Sequence, residues 1–276
     1  MNKENKNDNK KENKKENKIK KKENKNIIFK KVYFFIFEIF LFFLIINNQI
    51  QNNNFFNNDI KISLCTMGKN ENLYVKEFVE HYIKLGVDHI YIYDDNEPNT
   101  EKFSNILGRK YENKITIYEN RDKIKNQASA FTSCYHKNLN KFDWFIMVDM
   151  DEFLYIINNT LKNYLSNKIF NKCDFIKIHW IFPNDNGLVN YDPRPLFERF
   201  KGPYIKSNFV KTIIRGNIKD LKYAVHSPFF SQKNTTCNNE GQIIFSQKLN
   251  LVFLKNISIK NAYIIHYRFK TTEEFV

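Results

Sequence analysis

The sequence predicts an α/β fold: a mostly parallel sheet flanked by helices, preceded by a disordered tail and one apolar helix. Three observations carry this expectation. From residue 60 onward, short β-type apolar runs alternate with stretches of helical periodicity, the pattern of a sheet covered by helices. Three of the strand-like runs end in polar clusters, as expected where a ligand crevice lies beyond the carboxyl ends of an open sheet. The length, 276 residues, is enough for one large domain with a sizeable core or for two small ones.

Residues 1–26 repeat Lys, Asn and Glu with almost no apolar side chain, so they cannot offset the entropy of ordering and read as a disordered tail. Residues 27–46, IIFKKVYFFIFEIFLFFLII, follow as an apolar segment. Its unbroken part, 32–46, carries Glu38 as its only charge, which is short for a span of about 20 residues unless Lys30 and Lys31 snorkel. An uncleaved anchor is the leading reading; a cleaved signal lacks a small-residue cleavage site, and a core helix has to expose both lysines and Glu38. With the lysine-rich side cytoplasmic, everything beyond about residue 50 lies across the membrane. That is the layout of a single-pass, type II, Golgi-like protein in a eukaryote, and the same order on a bacterial inner membrane places tail and domain differently. Residues 47–59 are an Asn-rich linker.

The domain expected over 60–276 begins with a strand at 60–66. A helix at 71–85 sets Val75, Phe78, Val79, Tyr82 and Ile83 on one face, and Gly86 closes it. A second strand at 89–93 runs into Asp94-Asp95-Asn96, and a third is expected at 114–118. A helix at 127–139 precedes a fully apolar strand at 144–148, which runs into Asp149-Met150-Asp151-Glu152. Strands at 175–180, near 209–214 and at 262–267 complete the order, with a polar loop from Asn184 between the first two.

Composition excludes several classes. Residues 1–31 hold 13 lysines against 5 acidic residues, so this arm carries +8 of the chain's +14 and no nucleic-acid-binding face is implied. Only 7 Gly and 6 Pro exclude collagen-like and Gly-rich classes. With 41 asparagines, a compositional bias of the source, a single Asn carries little weight. The four cysteines, Cys65, Cys134, Cys173 and Cys237, form no CxxC pair and have no zinc-finger spacing. Cys173 and Cys237 are candidates to pair in an oxidising lumen, with free buried thiols an equal expectation.

The chemistry sits at the strand ends: 66–71, then Asp94-Asp95-Asn96, then 149–152. Carboxylates gathered in one crevice repel one another, and a bound divalent cation is the usual compensation. With 13 aspartates in the chain, the spacing of Asp149 and Asp151 alone is near chance. Its place directly after a buried strand gives it weight, and hard oxygen ligands there suit Mg²⁺ or Mn²⁺ holding a diphosphate.

An ordered series of motifs then resembles a known family. KNENLYVKEFVEHYIKLGVDHIYIYDDN (69–96), DWFIMVDMDEFL (143–154), NDNGLVNYDPRPLFERF (184–200), VKTIIRGN (210–217), His226 and HYRFKTTEEF (266–275) are similar to the GT-A glycosyltransferases of family 92 and the related family 2-like group. The resemblance covers about residues 61–276. It implies a GT-A, Rossmann-like fold and a transferase taking a nucleotide-diphosphate sugar to a glycan or glycoconjugate hydroxyl, with inversion at the anomeric carbon and a DxD metal motif. By the same resemblance Thr66, Lys69, Asn70 and Asp94 face the nucleotide, and Asp149 and Asp151 face the metal and diphosphate. His226 or His266 complete that shell, and Asp185 faces the acceptor hydroxyl. In the family the Glu-Glu-Phe at 273–275 opens a further helix, whereas this sequence ends at Val276.

Asp185 is also the only aspartate between Asp174 and Asp192 and sits in a polar turn with Asn184, Asn186 and Gly187, which makes it the leading general base. Glu198 beside Arg199 reads as an ion-paired rival, and Asp192 before Pro193 as a turn residue. Two other functions stay open at this level: nucleotidyl transfer, although 66–71 offers only Gly68 for a phosphate loop, and a membrane-anchored binding module without catalysis.

Overall fold

The computed structural model describes residues 37–42, 60–122, 125–184, 187–224, 226–229, 234–245 and 252–275. The chain divides into two units, Met1–Asn58 and Asp59–Val276. Of the first, only a helical stretch over 37–42 is described, with Phe37, Phe40 and Phe42 exposed. The tail expected over 1–26, the linker over 47–59 and most of the anchor over 27–46 lie outside the described residues. Among the described residues no helix is long and apolar enough to cross a membrane.

The second unit is built on nine strands: β1 (Ile62–Gly68), β2 (His89–Asp94), β3 (Ile115–Glu119), β4 (Trp144–Met147), β5 (Glu152–Ile156), β6 (Phe175–Pro183), β7 (Tyr204–Arg215), β8 (Thr236–Asn238) and β9 (Ala262–His266). They form one sheet in the order β3-β2-β1-β4-β7-β6-β9-β5, with β8 beside β6 off this path. The expectation of a mostly parallel sheet holds in part: among the described strands five pairings are parallel and three antiparallel, so the sheet is mixed. β3, β2, β1 and β4 are parallel neighbours. β7 runs antiparallel to both β4 and β6, and β5 antiparallel to β9, while β6 is parallel to β8 and β9. A parallel neighbour needs a crossover of about a dozen residues. Only 148–151 separate β4 from β5, so β5 leaves for the far edge and pairs with β9.

Helices cover both faces. On one, α1 (Val75–Leu85) buries Val75, Phe78, Val79 and Tyr82 against Ile62, Leu64, Ile90 and Ile92, joined by α2 (Phe103–Leu107) and α4 (Leu161–Leu165). On the other, α3 (Gln127–Lys137) buries Ala130, Phe131, Cys134 and Tyr135 against Tyr91, Tyr93, Phe145 and Met147. Two four-residue helices, α5 (Leu196–Arg199) and α6 (Thr272–Phe275), belong to the loop after β6 and to the C-terminal segment. α1 ends where expected, at Gly86, whose φ of 106° is left-handed and whose N–H donates to the Ile83 carbonyl. α3 begins at Asn126, whose side chain accepts the Ser129 N–H. The buried Tyr82 hydroxyl donates to the Glu152 carbonyl at 2.8 Å and accepts the Leu154 N–H at 3.0 Å, so α1 fixes where β5 starts.

All four cysteines are paired, Cys65 with Cys134 and Cys173 with Cys237. This replaces the even expectation of free thiols for Cys173 and Cys237 and adds a pair that nothing in the spacing announced. The first bond ties β1 to α3, and the second ties the residue-173 turn to β8. With sequence separations of 69 and 64, each removes chain entropy from the unfolded state worth about 4 kcal/mol in the loop-closure account. Thiol titration of the denatured, unreduced chain is therefore expected to find no reactive thiol and, after reduction, four, with a lowered melting temperature. Two or more thiols before reduction contradict the pairing.

Candidate active site

The parallel half of the sheet delivers its strand ends to one edge, where three loops meet. The first and third pack closely at Gly68. A Cβ on Gly68 would lie 2.7 Å from Met150 Cε and 2.9 Å from Phe103 Cε2, so any larger residue there forces the buried Met150 or Phe103 to shift. Met150 is the middle residue of Asp149-Met150-Asp151, and its seating turns the flanking aspartates outward together. A tight turn completes the motif: the Glu152 N–H donates to the Asp149 carbonyl at 3.1 Å, and the Asp149 N–H to Glu152 Oε2 at 3.0 Å.

Each carboxylate has a partner. Asp149 Oδ2 accepts from Lys211 Nζ at 2.8 Å, and its Oδ1 accepts from the Gln127 amide at the start of α3. Lys211 Nζ also lies 3.4 Å from Glu152 Oε2, with both side chains essentially inaccessible. Burial opposes the charge on Lys211, but Asp149 and Glu152 outweigh it and hold its pKa above the ordinary lysine value. Glu152 is the member shifted upward, chiefly by burial. Asp151 Oδ2 accepts the Nε2–H of His266 at 3.1 Å. Burial pushes the Asp151 carboxyl up, yet that bond and the charges of His266, Lys270 and Lys211 hold it below the usual range.

The two candidate histidines are placed differently. His266 ends β9, packs edge-on against Trp180 at 4.6 Å, and leaves Nδ1 buried without a hydrogen-bond partner, 3.9 Å from Glu152 Oε1. His226, at a left-handed φ of 71°, meets the other side of Trp180 and makes no hydrogen bond to either aspartate. Burial and the nearby Lys211 push its pKa down to about 4, so it is a neutral imidazole at neutral pH.

On the side expected to face a nucleotide, Thr66 is fully buried on β1 with Oγ1 unpartnered, while Lys69 is exposed and pairs with Glu97 at 2.9 Å. Asn70 is left-handed at φ 59°, and its N–H donates to Asn96 Oδ1 at 2.7 Å, tying the first loop to the second. Asp94 is fully buried: its carboxylate accepts from the Asn96 and Phe103 amides and from Arg121 Nη2 at 2.9 Å. It braces the second loop from inside, while the half-buried Asp95 accepts from the Asn120 amide at 2.6 Å. Asp185, the expected base, lies outside the described residues, between Asn184 and Gly187.

Lys211, Gln127 and Lys270 had no part assigned from the sequence, although Lys211 lay within the VKTIIRGN run and Gln127 at the start of α3. Glu71 and Lys270 form an ion pair at 2.7 Å between the first loop and the C-terminal segment. Burial pushes Glu71 up to about 6 against the pull of Lys270. Only spatial pairing across 199 residues reveals that contact.

The donor set suits a hard divalent ion in chemistry, but among the described residues no three His, Cys, Asp or Glu side chains converge on a ready-made centre. What fits is an edge made by Asp151 and His266, leaving other positions to water and phosphate oxygens, as is usual for Mg²⁺-type sites. Asp149, expected as a ligand, has both oxygens engaged by Gln127 and Lys211.

With this geometry in place, comparison with known proteins gives the class. Residues 58–275 match the family model for Glycosyltransferase family 92. A glycosyltransferase family 92 protein of Oryza sativa subsp. japonica is 29% identical over 106 residues, covering 38% of this chain and 18% of the relative. One of Ricinus communis is 25% identical over 97 residues, covering 35% and 17% respectively. The matches thus span about a fifth of the length of these curated relatives. The chain belongs to glycosyltransferase family 92.

The Gly68 contact makes a prediction. Gly68→Ala is expected to cost about 1–3 kcal/mol of stability by overpacking and to displace Met150, so both aspartates lose their setting. Denaturant unfolding beside a crystal structure of the variant checks this; an unmoved Asp149-Met150-Asp151 turn at wild-type stability removes the argument.

Proposed function

We propose that the chain transfers a sugar from a nucleotide-diphosphate donor to a glycan or glycoconjugate hydroxyl, with metal assistance and inversion. The observation that carries the reading is the placement of Asp149-Met150-Asp151 at the end of β4, between the Lys211 ammonium and the His266 imidazole. A divalent ion at Asp151 and His266 supplies Lewis-acid stabilisation of the diphosphate. The protein's own groups do the rest. Lys211 and Gln127 fix Asp149, and Thr66, Lys69 and Asn70 offer polar groups to the nucleotide. Asp185 accepts the proton of the acceptor hydroxyl as its oxygen bonds to the anomeric carbon and the carbon–oxygen bond to the diphosphate breaks.

Two substitutions test this assignment. Asp151→Asn removes charge at constant size and is expected to lower transfer at least about a hundredfold, with little change in melting temperature. Asp185→Asn is expected to abolish transfer while donor and Mn²⁺ affinities stay near wild type. Full activity of Asp151→Asn, or undiminished turnover in EDTA, defeats the metal-assisted reading; an Asp185→Asn enzyme that transfers but no longer binds donor moves that residue to the donor site.

We also propose that the chain is a type II, Golgi-like membrane protein held by the apolar run at 32–46. The lysine-rich flank supports this orientation, and two disulfides in the domain suit an oxidising compartment. The full chain is expected to pellet with membranes and resist alkaline carbonate extraction, whereas a chain lacking residues 1–50 stays in the supernatant. Equal partitioning of the two rejects the anchor.

A further inference from the structure

We propose that Lys211 is the site's resident cation: it holds Asp149 and Glu152 to itself, excludes a divalent ion from between them, and confines metal binding to the edge made by Asp151 and His266. The inference deepens the metal-assisted reading above and concerns how the chain's own residues divide the site.

Its basis is the topology. β4 and β7 pair antiparallel only as far as Met147 and Thr212. Lys211 is therefore the first β7 residue past the paired region, level with the point where the other chain turns into Asp149-Met150-Asp151-Glu152. From that position its ammonium reaches Asp149 Oδ2 at 2.8 Å and Glu152 Oε2 at 3.4 Å, and the indole of Trp180 lies 5.8 Å away. The side chain is 1% exposed, so this is a fixed internal charge and not a surface lysine visiting the site.

Asp149, Asp151 and Glu152 lie within four consecutive residues, and Glu152 is fully buried. β7 supplies a positive charge between the first and the third, and supplies it covalently. A divalent ion entering that space has to displace a buried ammonium against like-charge repulsion. The Asp151 side is open by comparison, since its only side-chain partner among the described contacts is the neutral or protonated imidazole of His266. Two buried atoms without hydrogen-bond partners, Glu152 Oε1 and His266 Nδ1, face each other at 3.9 Å where the two halves of the cluster meet. They are donors that a cation gains once Lys211 no longer holds Glu152.

The proposal makes an unusual prediction: removing this positive charge improves metal binding. Mn²⁺ titrated into the full chain, with free Mn²⁺ read by electron paramagnetic resonance, is expected to show at most one ion bound to the wild type. Lys211→Met is expected to bind a second Mn²⁺, or to bind one at least tenfold more tightly, while Lys211→Arg, which keeps the charge, behaves as wild type. If folded Lys211→Met binds Mn²⁺ no better than wild type, the proposal is overturned. A wild type that binds no Mn²⁺ beside a Lys211→Met that does defeats the metal-assisted reading yet leaves Lys211 as the excluding charge. Should Lys211→Met fail to fold, Asp149→Asn decides. Mn²⁺ affinity within about threefold of wild type supports the division, provided that Asp151→Asn loses it, and loss in both variants rejects it.

Discussion

The site depends on one constraint: acidic side chains on a four-residue turn must be held in a crevice with little water. Three separate parts of the chain meet that constraint. β7 contributes the Lys211 ammonium, β9 contributes His266, and the start of α3 contributes the Gln127 amide. Removing the Lys211 ammonium from this buried set leaves Asp149 and Glu152 without their cation, which costs more than the pairing itself contributes. The mixed topology follows the same logic. Because β5 departs after four residues and returns beside β9, Glu152 is placed opposite His266 in register, and β7 lies between β4 and β6 where its lysine can reach the turn.

Much of the fold was legible because periodicity reports burial. The apolar run at 144–148 became β4, the helical face of Val75, Phe78, Val79 and Tyr82 became the buried face of α1, and Gly86 ended it. β5 was not legible: Glu152-Phe153-Leu154-Tyr155-Ile156 begins inside the acidic motif, with no turn residue to separate it. β8, three residues long, is held by pairing to β6 and by the Cys173–Cys237 bond, neither of which has a local signature. Strand direction was not legible either, since an apolar strand buried on both faces has the same composition in a parallel or an antiparallel setting.

The site divided along the same line. Asp149 and Asp151 drew attention because a strand end locates a crevice, and His266 because a motif series pointed to it; the structure sets Asp151 against His266. Asp94 illustrates the limit. An aspartate at a strand end reads as ligand-facing, but its partner Arg121 sits 27 residues away and turns it into an internal brace. Lys211 was hidden by composition as well as by distance. In a chain with 44 Lys and Arg residues, one lysine on a strand carries almost no information until its burial is known.

The C-terminal segment joins three loops that lie far apart in the sequence. Directly after His266, the Tyr267 N–H donates to the Asp151 carbonyl at 2.9 Å, so Asp151 is held by backbone as well as by imidazole. Lys270 then reaches back to Glu71 in the first loop and lies 4.2 Å over the Tyr74 ring. Thr272 and Glu273 donate their N–H groups to Leu188 and Val189, in the loop that follows Asp185. Glu274 pairs with the buried Arg199, whose guanidinium also donates to the Tyr74 hydroxyl. One strap of nine residues thus contacts the first loop, the aspartate turn and the loop after β6. Packed and charge-paired contacts to one common element, and not separate ones, therefore set the three loops relative to one another.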